Sequence, residues 1–255
     1  MGAQTKAILT AWKAALRMVY PPQCPACSLP VSQEDGLCPA CWAEAGFITG
    51  TRCGCCGAPL PDDGTRSRDA HAAGLRCDEC LAIPRPWSRG VAALRYSGTG
   101  RRLVLTLKHG DRPDLAPVLA RWLAEAAAPI IDADALIVPV PVHPRRLLKR
   151  RYNQAALIGA GLARQLGLAH RPDALRRLRN TPTQDHRNLA GRFDNQRGAI
   201  GVAPKEAAQL TGRPVLLVDD VMASGATLAE ATLALTSAGA GPVSVAVVAR
   251  AIKDD

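Results

Sequence analysis

The sequence predicts an α/β protein in which a largely parallel sheet, with helices on both faces, follows a small cysteine-rich module. Two observations support this prediction. All nine cysteines lie between Cys24 and Cys80, in a part of the chain that ends in a linker at Pro84 and Pro86. Beyond the linker, short apolar segments typical of buried strands alternate with helical stretches. This alternation is the pattern of a parallel sheet with crossover helices.

The composition is that of a globular protein with a basic surface. At 255 residues and 47% apolar content, the chain can form one main core and one small additional module. The formal net charge of +10 favours an anionic partner, such as a phosphorylated metabolite or a nucleic acid. Two basic runs contribute to this charge: Arg145, Arg146, Lys149, Arg150 and Arg151, and then Arg176, Arg177 and Arg179. An ordinary solvated surface is an equally good explanation of the charge alone.

The first predicted element is an amphipathic helix near the N-terminus, with Ile8, Trp12 and Leu16 on one face. Lys13 and Arg17 interrupt the apolar run that a signal peptide would need. No segment of the sequence approaches the roughly 20 apolar residues that cross a bilayer. We therefore expect a cytoplasmic protein without a transmembrane segment.

We predict three parts, namely this helix (1–20), the cysteine module (21–86) and an α/β domain (87–255). In the α/β domain the expected strands are 91–96, 135–140, 214–218 and 243–248, and the expected helices are 101–108, 115–128, 154–166 and 228–238. Helix 154–166 should close at Gly167, because glycine readily takes the left-handed conformation that ends helices.

Eight of the nine cysteines form four Cys-x-x-Cys pairs: Cys24 and Cys27, Cys38 and Cys41, Cys53 and Cys56, and Cys77 and Cys80. Two thiolates on a tight turn can bind one tetrahedral ion, and two such pairs complete a closed four-sulfur shell. The sequence therefore predicts two structural Zn²⁺ sites, most simply formed by consecutive pairs, with an interleaved arrangement left open. Disulfides are the alternative, which a reducing compartment disfavours. Cys55 is left unassigned.

The segment from Val215 to Thr227 is the most informative about function. A buried strand ends in Asp219 and Asp220 and enters a turn of small residues before a helix. Ligands of parallel sheets lie beyond the carboxyl ends of the strands, and the free N–H groups at a helix start bind phosphate. Small residues allow close approach of the backbone, and the Ser224 hydroxyl is an additional donor. The two carboxylates suit vicinal sugar hydroxyls.

This segment resembles the signature of type I phosphoribosyltransferases, whose loop holds the 5′-phosphate of phosphoribosyl pyrophosphate and whose paired acids hold its ribose hydroxyls. The resemblance implies a type I phosphoribosyltransferase-like fold with a ligand site at Asp219, Asp220, Ala223, Ser224, Gly225, Ala226 and Thr227. It departs at Ala223, where the family usually has a hydroxyl residue, so one phosphate contact is expected to be missing. An ordinary helix start after a strand is the alternative.

A second motif, Val138-Pro-Val-Pro-Val-His143 followed by Arg150-Arg-Tyr-Asn-Gln154, resembles the competence protein F family, which also carries N-terminal cysteine knuckles. That family usually has glycine where this chain has Arg151, a change expected to alter the loop. The resemblance implies a pyrophosphate loop, a mobile loop and catalytic charge from Arg150 and Lys108. The residues expected to contact pyrophosphate or to close over it are His143, Arg145, Asn153, Gln154, Thr183, Gln184 and Arg192.

These resemblances imply two competing functions. The favoured one is Mg²⁺-dependent transfer of phosphoribose to a nitrogen nucleophile, with catalysis by neutralisation of the departing pyrophosphate. The alternative is a non-catalytic protein that handles single-stranded DNA in natural transformation and DNA uptake, which the basic charge favours. An aromatic content of only 4% disfavours a surface that stacks many bases. A purely regulatory role in ligand sensing is also compatible with the fold.

Overall fold

The computed structural model describes residues 21–61, 74–179 and 189–252. The predicted N-terminal helix lies outside these ranges, as do two of the predicted loop residues, Thr183 and Gln184. Among the described residues, none of the helices has the length and the apolar character needed to cross a membrane.

The described residues form a parallel sheet and a separate antiparallel pair of short strands. In chain order, the strands are β1 (Arg89–Arg95), β2 (Leu136–Pro139), β3 (Ala169–His170), β4 (Leu175–Arg177), β5 (Ile200–Val202), β6 (Val215–Met222) and β7 (Val243–Arg250). The parallel sheet has the order β1-β7-β6-β2-β3, and β4 pairs antiparallel with β5. Because the sheet strands are parallel, their carboxyl ends share one edge, where ligands of such folds bind.

Helices connect these strands. In chain order, those of the described residues are α1 (Pro39–Ala43), α2 (Asp78–Ala82), α3 (Gly98–His109), α4 (Leu115–Ala127), α5 (Pro144–Arg150), α6 (Gln154–Leu166), α7 (Leu189–Gln196), α8 (Ala207–Leu210) and α9 (Ala226–Ser237). The prediction of helix 154–166 is confirmed at both ends. It closes at Gly167, whose φ of 68° is left-handed.

Both faces of the sheet are covered, as predicted. Leu103 of α3, Leu119 of α4 and Ile158 of α6 belong to the core on one face. On the other face the core includes Leu228 and Leu235 of α9, together with residues of the second half of the cysteine module. Burying each of these large apolar side chains stabilises the fold by about 1.5–3 kcal/mol. Strand β7 is buried at every position, which explains why its sequence does not alternate between apolar and polar residues.

Strand β6 is longer than the sequence predicted. The strand expected over 214–218 extends to Met222, because β7 continues beside it and pairs Arg250 with Met222. Asp219 and Asp220 therefore lie within the strand, which continues for two residues beyond the acids in which it was expected to end. The sheet ladder fixes their backbone, so the positions of both carboxylates are set by the core.

The stretch after β2, where a pyrophosphate loop was expected, contains the short helix α5. Pro144 starts α5, where the absence of a proline N–H costs no hydrogen bond, and the Nδ1 of His143 accepts a hydrogen bond from the N–H of Arg145 at 3.2 Å. The helix ends at Arg151, which has a left-handed φ of 67°. This is the position where the resembled family has glycine, and a side chain there costs about 1 kcal/mol.

The cysteine module packs on the outer edge of β1. The N–H of Ile48 donates to the carbonyl of Ala93 at 2.9 Å, in an antiparallel contact that covers the edge strand. Gly90 lies so close to the module that an added Cβ would come within 2.1 Å of the carbonyl oxygen of Cys55. The domain boundary at residue 86 stays a prediction, and the module and the sheet share a packed interface.

The paired cysteines form two compact clusters. The first cysteine cluster is Cys24, Cys27, Cys38 and Cys41, and the second is Cys53, Cys56, Cys77 and Cys80. In each cluster the sulfur atoms lie within 4.8 Å of one another. Four thiolates at this separation fit one tetrahedral Zn²⁺ with a closed shell, which stabilises the fold and leaves no position for substrate. The clusters use consecutive pairs, so the interleaved arrangement does not occur.

The two clusters are built in the same way. The N–H of Ser28 donates to the carbonyl of the first cysteine of its cluster at 2.8 Å, and Gly57 makes the equivalent bond in the second cluster at the same distance. Both residues have left-handed φ values, 64° and 72°. The third cysteine, Cys38 or Cys77, then caps a short helix that carries the fourth. The module is a repeat of one metal-binding design.

We predict that the purified protein contains about two zinc ions per chain, because each four-thiol cluster should hold one ion. Metal analysis of Cys24→Ser and of Cys77→Ser should each return about one zinc less, with a lower melting temperature. Cys55→Ser is the matched control and should retain both ions, since Cys55 is outside the two clusters. Metal-free wild-type protein with its cysteines in disulfides would contradict the assignment.

Candidate functional site

A polar cavity of about 240 Å³ opens at the carboxyl ends of β2 and β6. It gathers residues from four separate segments of the chain. The polar side chains that line it are Lys108, His143, Arg146, Arg150, Asn153, Gln154, Arg177, Asp219, Asp220 and Thr227. The strands supply its acidic floor and α3, α5 and β4 supply its basic walls. The cavity therefore combines acceptors for hydroxyl groups with donors for anionic oxygens.

Asp219 and Asp220 have different environments in this cavity. The ammonium of Lys108 lies 3.0 Å from a carboxylate oxygen of Asp220, so this acid is paired. Burial, and then the charge of Asp220, raise the pKa of Asp219 to about 7, although Lys108 acts in the opposite direction. The two acids therefore differ: Asp220 is paired with Lys108, and Asp219 titrates near neutral pH.

The basic wall is partly desolvated. Burial lowers the pKa of Arg150; Asp220 opposes this shift and Arg146 adds to it. Burial, and then the charge of the nearby Arg146, also lower the pKa of Arg177. A guanidinium keeps its proton at neutral pH in spite of such shifts. Arg146, Arg150 and Arg177 repel one another and line the same cavity. A multiply charged anion in this cavity would stabilise the arrangement.

Asn153 and Gln154 have distinct roles at the rim. The amide nitrogen of Asn153 donates to the carbonyl of Val140 at 3.0 Å, and its oxygen accepts from the N–H of Ala155 at 3.1 Å. Asn153 thus ties the start of α6 to the end of β2 and is structurally engaged. Gln154 is only 2% exposed, and its amide nitrogen has no hydrogen-bond partner among the described residues. A buried donor of this kind is costly unless a ligand or water satisfies it.

The turn after β6, residues 223–227, is called the phosphate loop below. Gly225 has a φ of 76°, which requires glycine, and it directly precedes α9. The N–H of Ala226 lies 3.4 Å from the hydroxyl oxygen of the buried Ser224. Thr227 reaches the polar cavity, whereas Ala223 and Ser224 line a second space of about 540 Å³, the module cavity, between the loop and the cysteine module.

The structure brings most of the predicted site residues together. Lys108, His143, Arg150, Asn153, Gln154, Asp219, Asp220 and Thr227 all line the polar cavity. Arg145 does not line it, because α5 turns this side chain outwards while the neighbouring Arg146 faces inwards. Arg192 lines the module cavity instead. Their expected contacts with pyrophosphate stay predictions.

Several site residues were missed by the sequence analysis. Arg146 and Arg177 belong to the basic runs but were not singled out, since the helical and strand phases that aim them at the cavity were not predicted. Arg85 and Arg250 contact the outside of the phosphate loop, Glu79 contacts both arginines, and the three residues carry no recognisable motif. Their separation along the chain left no sequence signal for this contact.

Asp219→Asn should flatten the pH dependence of stability. Because the pKa of Asp219 is raised from 3.8 to about 7, the folded protein binds more protons than the unfolded chain between these values, and stability falls as the pH rises towards 7. The wild type should lose about 1 kcal/mol of unfolding free energy between pH 6 and pH 8 in urea titrations. The half-exposed control Asp132→Asn should keep this loss, and Asp219→Asn should not. Equal losses in all three proteins would contradict the raised pKa.

Comparison with known families agrees with this architecture. A double zinc ribbon domain matches residues 15–82, and a phosphoribosyl transferase domain matches residues 155–254. The first match contains both cysteine clusters, and the second contains the acid pair and the phosphate loop.

Individual relatives extend the similarity over most of the chain. DNA utilization protein YhgH of Salmonella typhimurium is 32% identical and aligns over 89% of this chain and 96% of its own length. Competence protein F of Haemophilus influenzae is 28% identical, over 86% and 92%. Adenine phosphoribosyltransferase of Mycobacterium marinum is 32% identical, over 53% and 68%. The chain therefore belongs to the family that includes DNA utilization protein YhgH and competence protein F, with a double zinc ribbon in front of its phosphoribosyl transferase domain.

Proposed function

We propose that the chain binds phosphoribosyl pyrophosphate in the polar cavity and transfers its phosphoribosyl group to a nitrogen nucleophile. One observation carries this proposal: Asp219 and Asp220, near the end of β6, line one cavity of about 240 Å³ together with the cations Lys108 and Arg150. A phosphorylated sugar that carries a second anionic group complements both sides of this cavity. The membership of a phosphoribosyl transferase family supports the same ligand class.

The sugar end of the ligand would lie at the carboxyl end of β6. The 5′-phosphate would accept hydrogen bonds from the backbone N–H groups of the phosphate loop, at the positive end of the α9 dipole. The ribose hydroxyls would donate to the carboxylates of Asp219 and Asp220, whose backbone the sheet holds rigidly. Ala223 brings no hydroxyl to the loop, so phosphate binding there relies on the backbone, Ser224 and Thr227.

The pyrophosphate end would lie against the basic wall. Arg146 and Arg150 offer charged donors, and the unpartnered amide of Gln154 offers a neutral one. A Mg²⁺ ion that accompanies pyrophosphate would be bound mainly by phosphate oxygens and water, with one or two carboxylates. Asp219 and Asp220 are the acids that the cavity provides for it. Such an ion would neutralise charge on the pyrophosphate oxygens.

The transfer itself needs little covalent help from the protein. The bond between the anomeric carbon and pyrophosphate oxygen breaks, pyrophosphate leaves with the electron pair, and a nitrogen lone pair forms the new bond. Positive charge develops on the sugar near Asp219 and Asp220, while negative charge accumulates on pyrophosphate near Arg150 and Lys108. Fixed charges that already face these positions lower the barrier without reorganisation.

Replacement of the acid pair tests the proposal. The double variant Asp219→Asn with Asp220→Asn should weaken phosphoribosyl pyrophosphate binding in calorimetry by at least about tenfold, because each charged hydrogen bond contributes about 1.5–3 kcal/mol. Zinc content should be unchanged, and Asp132→Asn should bind as the wild type does. Release of pyrophosphate with Mg²⁺ and a panel of nucleobases and amines then tests transfer. Equal affinity in the double variant would remove the sugar-binding role of these acids.

A second candidate function is binding of single-stranded DNA. A basic groove of about 440 Å³ adjoins the polar cavity and shares Lys108, Arg146 and Arg150 with it. Beside it, α5 exposes Leu148 to 83%, so apolar surface is available near the cations. The relatives named DNA utilization protein and competence protein F favour a partner of this class. The phosphates of a strand would bind the cations and its bases would contact the exposed apolar surface.

Charge removal outside the polar cavity separates this candidate from the first. Arg145→Gln with Arg151→Gln should lower the logarithmic salt slope of oligonucleotide binding by about 0.7 for each lost phosphate contact. The single variant Arg151→Gln should retain affinity for phosphoribosyl pyrophosphate, because Arg151 does not line the polar cavity. The control Arg164→Gln with Arg197→Gln removes the same charge elsewhere and should leave the slope unchanged. Fluorescence anisotropy provides both readouts, and equal slopes in the two double variants would exclude α5 as the DNA site.

A further inference from the structure

The second cysteine cluster is connected to the phosphate loop by a network of charged side chains. Glu79 lies between the metal-binding candidates Cys77 and Cys80, and its two carboxylate oxygens have separate partners. One accepts from Arg85 at 2.7 Å and the other from Arg250 at 2.6 Å. Both guanidinium groups are almost completely buried, whereas the Glu79 side chain is 33% exposed, so each pair joins a buried cation to a partly solvated carboxylate.

The two arginines hold the carbonyl groups of the turn after β6. Arg85 donates to the carbonyl of Ser224 at 2.6 Å, and Arg250 donates to the carbonyl of Ala223 at 2.6 Å and to that of Met222 at 3.2 Å. A buried arginine that bonds successive carbonyls fixes the orientation of the peptide planes between them. The N–H groups that a phosphate would need are therefore oriented before any ligand arrives.

Aromatic rings keep Arg85 in place. Its guanidinium lies 5.6 Å from the ring centroids of both Trp87 and Phe193. The indole N–H of Trp87 in turn donates to the carbonyl of Cys55 at 2.6 Å, and Cys55 lies between Cys53 and Cys56 of the second cysteine cluster. A Cβ at Gly225 would lie 3.0 Å from the Trp87 ring and 3.1 Å from Arg85. The phosphate loop is therefore packed directly against the cysteine module.

Arg250 also contacts the cluster itself. Its guanidinium lies close to the sulfur of Cys56, and Arg250 lines the module cavity together with Cys77. The first cysteine cluster differs in its contacts. Its neighbour Arg102 lies 3.7 Å from the sulfur of Cys41 and 3.5 Å from Glu44, on α3 and away from the phosphate loop. The two equivalent clusters are thus attached to different parts of the sheet.

We propose that Glu79, Arg85 and Arg250 are positioning residues for the phosphate loop, and that metal in the second cysteine cluster controls the order of this loop. By holding Cys77 and Cys80, the ion would fix the helical turn from which Glu79 reaches both arginines. The first cluster would contribute stability without affecting the loop. The effect on sugar-phosphate affinity rests on the proposed function, whereas the effect on loop order does not.

Hydrogen exchange of the ligand-free, zinc-loaded protein tests loop order. In Glu79→Gln, the amides of residues 222–227 should exchange about tenfold faster than in the wild type, because the two arginines lose their common counterion. The matched control Glu44→Gln removes the carboxylate beside the first cluster and should leave these amides unchanged. Metal analysis should show that both variants retain their zinc. Unchanged exchange of the loop in zinc-loaded Glu79→Gln would overturn the proposal.

Selective loss of one metal site provides the second arm. Cys77→Ser should speed exchange of residues 222–227, whereas Cys27→Ser, at the exposed cysteine of the first cluster, should not. Equal effects of the two cysteine variants on the loop would overturn the proposal. If Glu79→Gln fails to fold, Glu79→Asp, which keeps the charge but is too short to reach both arginines, takes its place with the same expected direction.

Ligand binding separates this inference from the proposed function. In calorimetry, Glu79→Gln should bind phosphoribosyl pyrophosphate about tenfold more weakly than both the wild type and Glu44→Gln. If the wild type does not bind this ligand, the proposed function fails and the exchange data alone decide on the positioning role. If the wild type binds and Glu79→Gln binds equally well, the positioning role fails while the proposed function stands.

Discussion

Parallel pairing of β6 with β2 on one side and β7 on the other is the constraint on which the site depends. This pairing brings the carboxyl ends of the three strands to one edge, and the pairing with β7 continues along β6 past Asp219 and Asp220 to Met222. The acids are consequently as rigid as the core beneath them. The cations Lys108, Arg146 and Arg150 are carried by α3 and α5, which follow β1 and β2 at the same edge. Acidic and basic side chains therefore line one small cavity.

The electrostatics of this cavity are unbalanced in a way that suits a ligand with two chemical ends. Asp220 is paired with Lys108, whereas the pKa of Asp219 is raised by burial and by its neighbour. Arg150 and Arg177 lie with Arg146 on the other wall, and burial and the charge of Arg146 lower the pKa of both Arg150 and Arg177. Hydroxyl groups of a ligand would complement the acidic side, and anionic oxygens would complement the basic side.

The cysteine module is part of the site's architecture and not only an appendage. It covers the edge of β1 and supplies one wall of the module cavity, and through Glu79 it bonds the arginines that hold the phosphate loop. A small metal-bound turn is well suited to this task, because its geometry is set by the ion and does not require a large apolar core. The two cysteine clusters therefore have the same local structure but contact different parts of the α/β domain.

The sequence alone predicted the α/β class, two sites of four cysteines each, helix α6 with its end at Gly167, and the acid pair followed by a turn of small residues, whereas the structure decided which cysteine pairs share a cluster. These features depend on local patterns, such as apolar periodicity, Cys-x-x-Cys spacing and glycine at a left-handed turn. Only the tertiary structure decided that β6 extends through the acids, that Arg146 faces the cavity in place of Arg145, and that Glu79 reaches Arg85 and Arg250. These outcomes depend on strand pairing, on helix phase and on contacts between residues up to 171 positions apart in the chain, which a local pattern cannot encode.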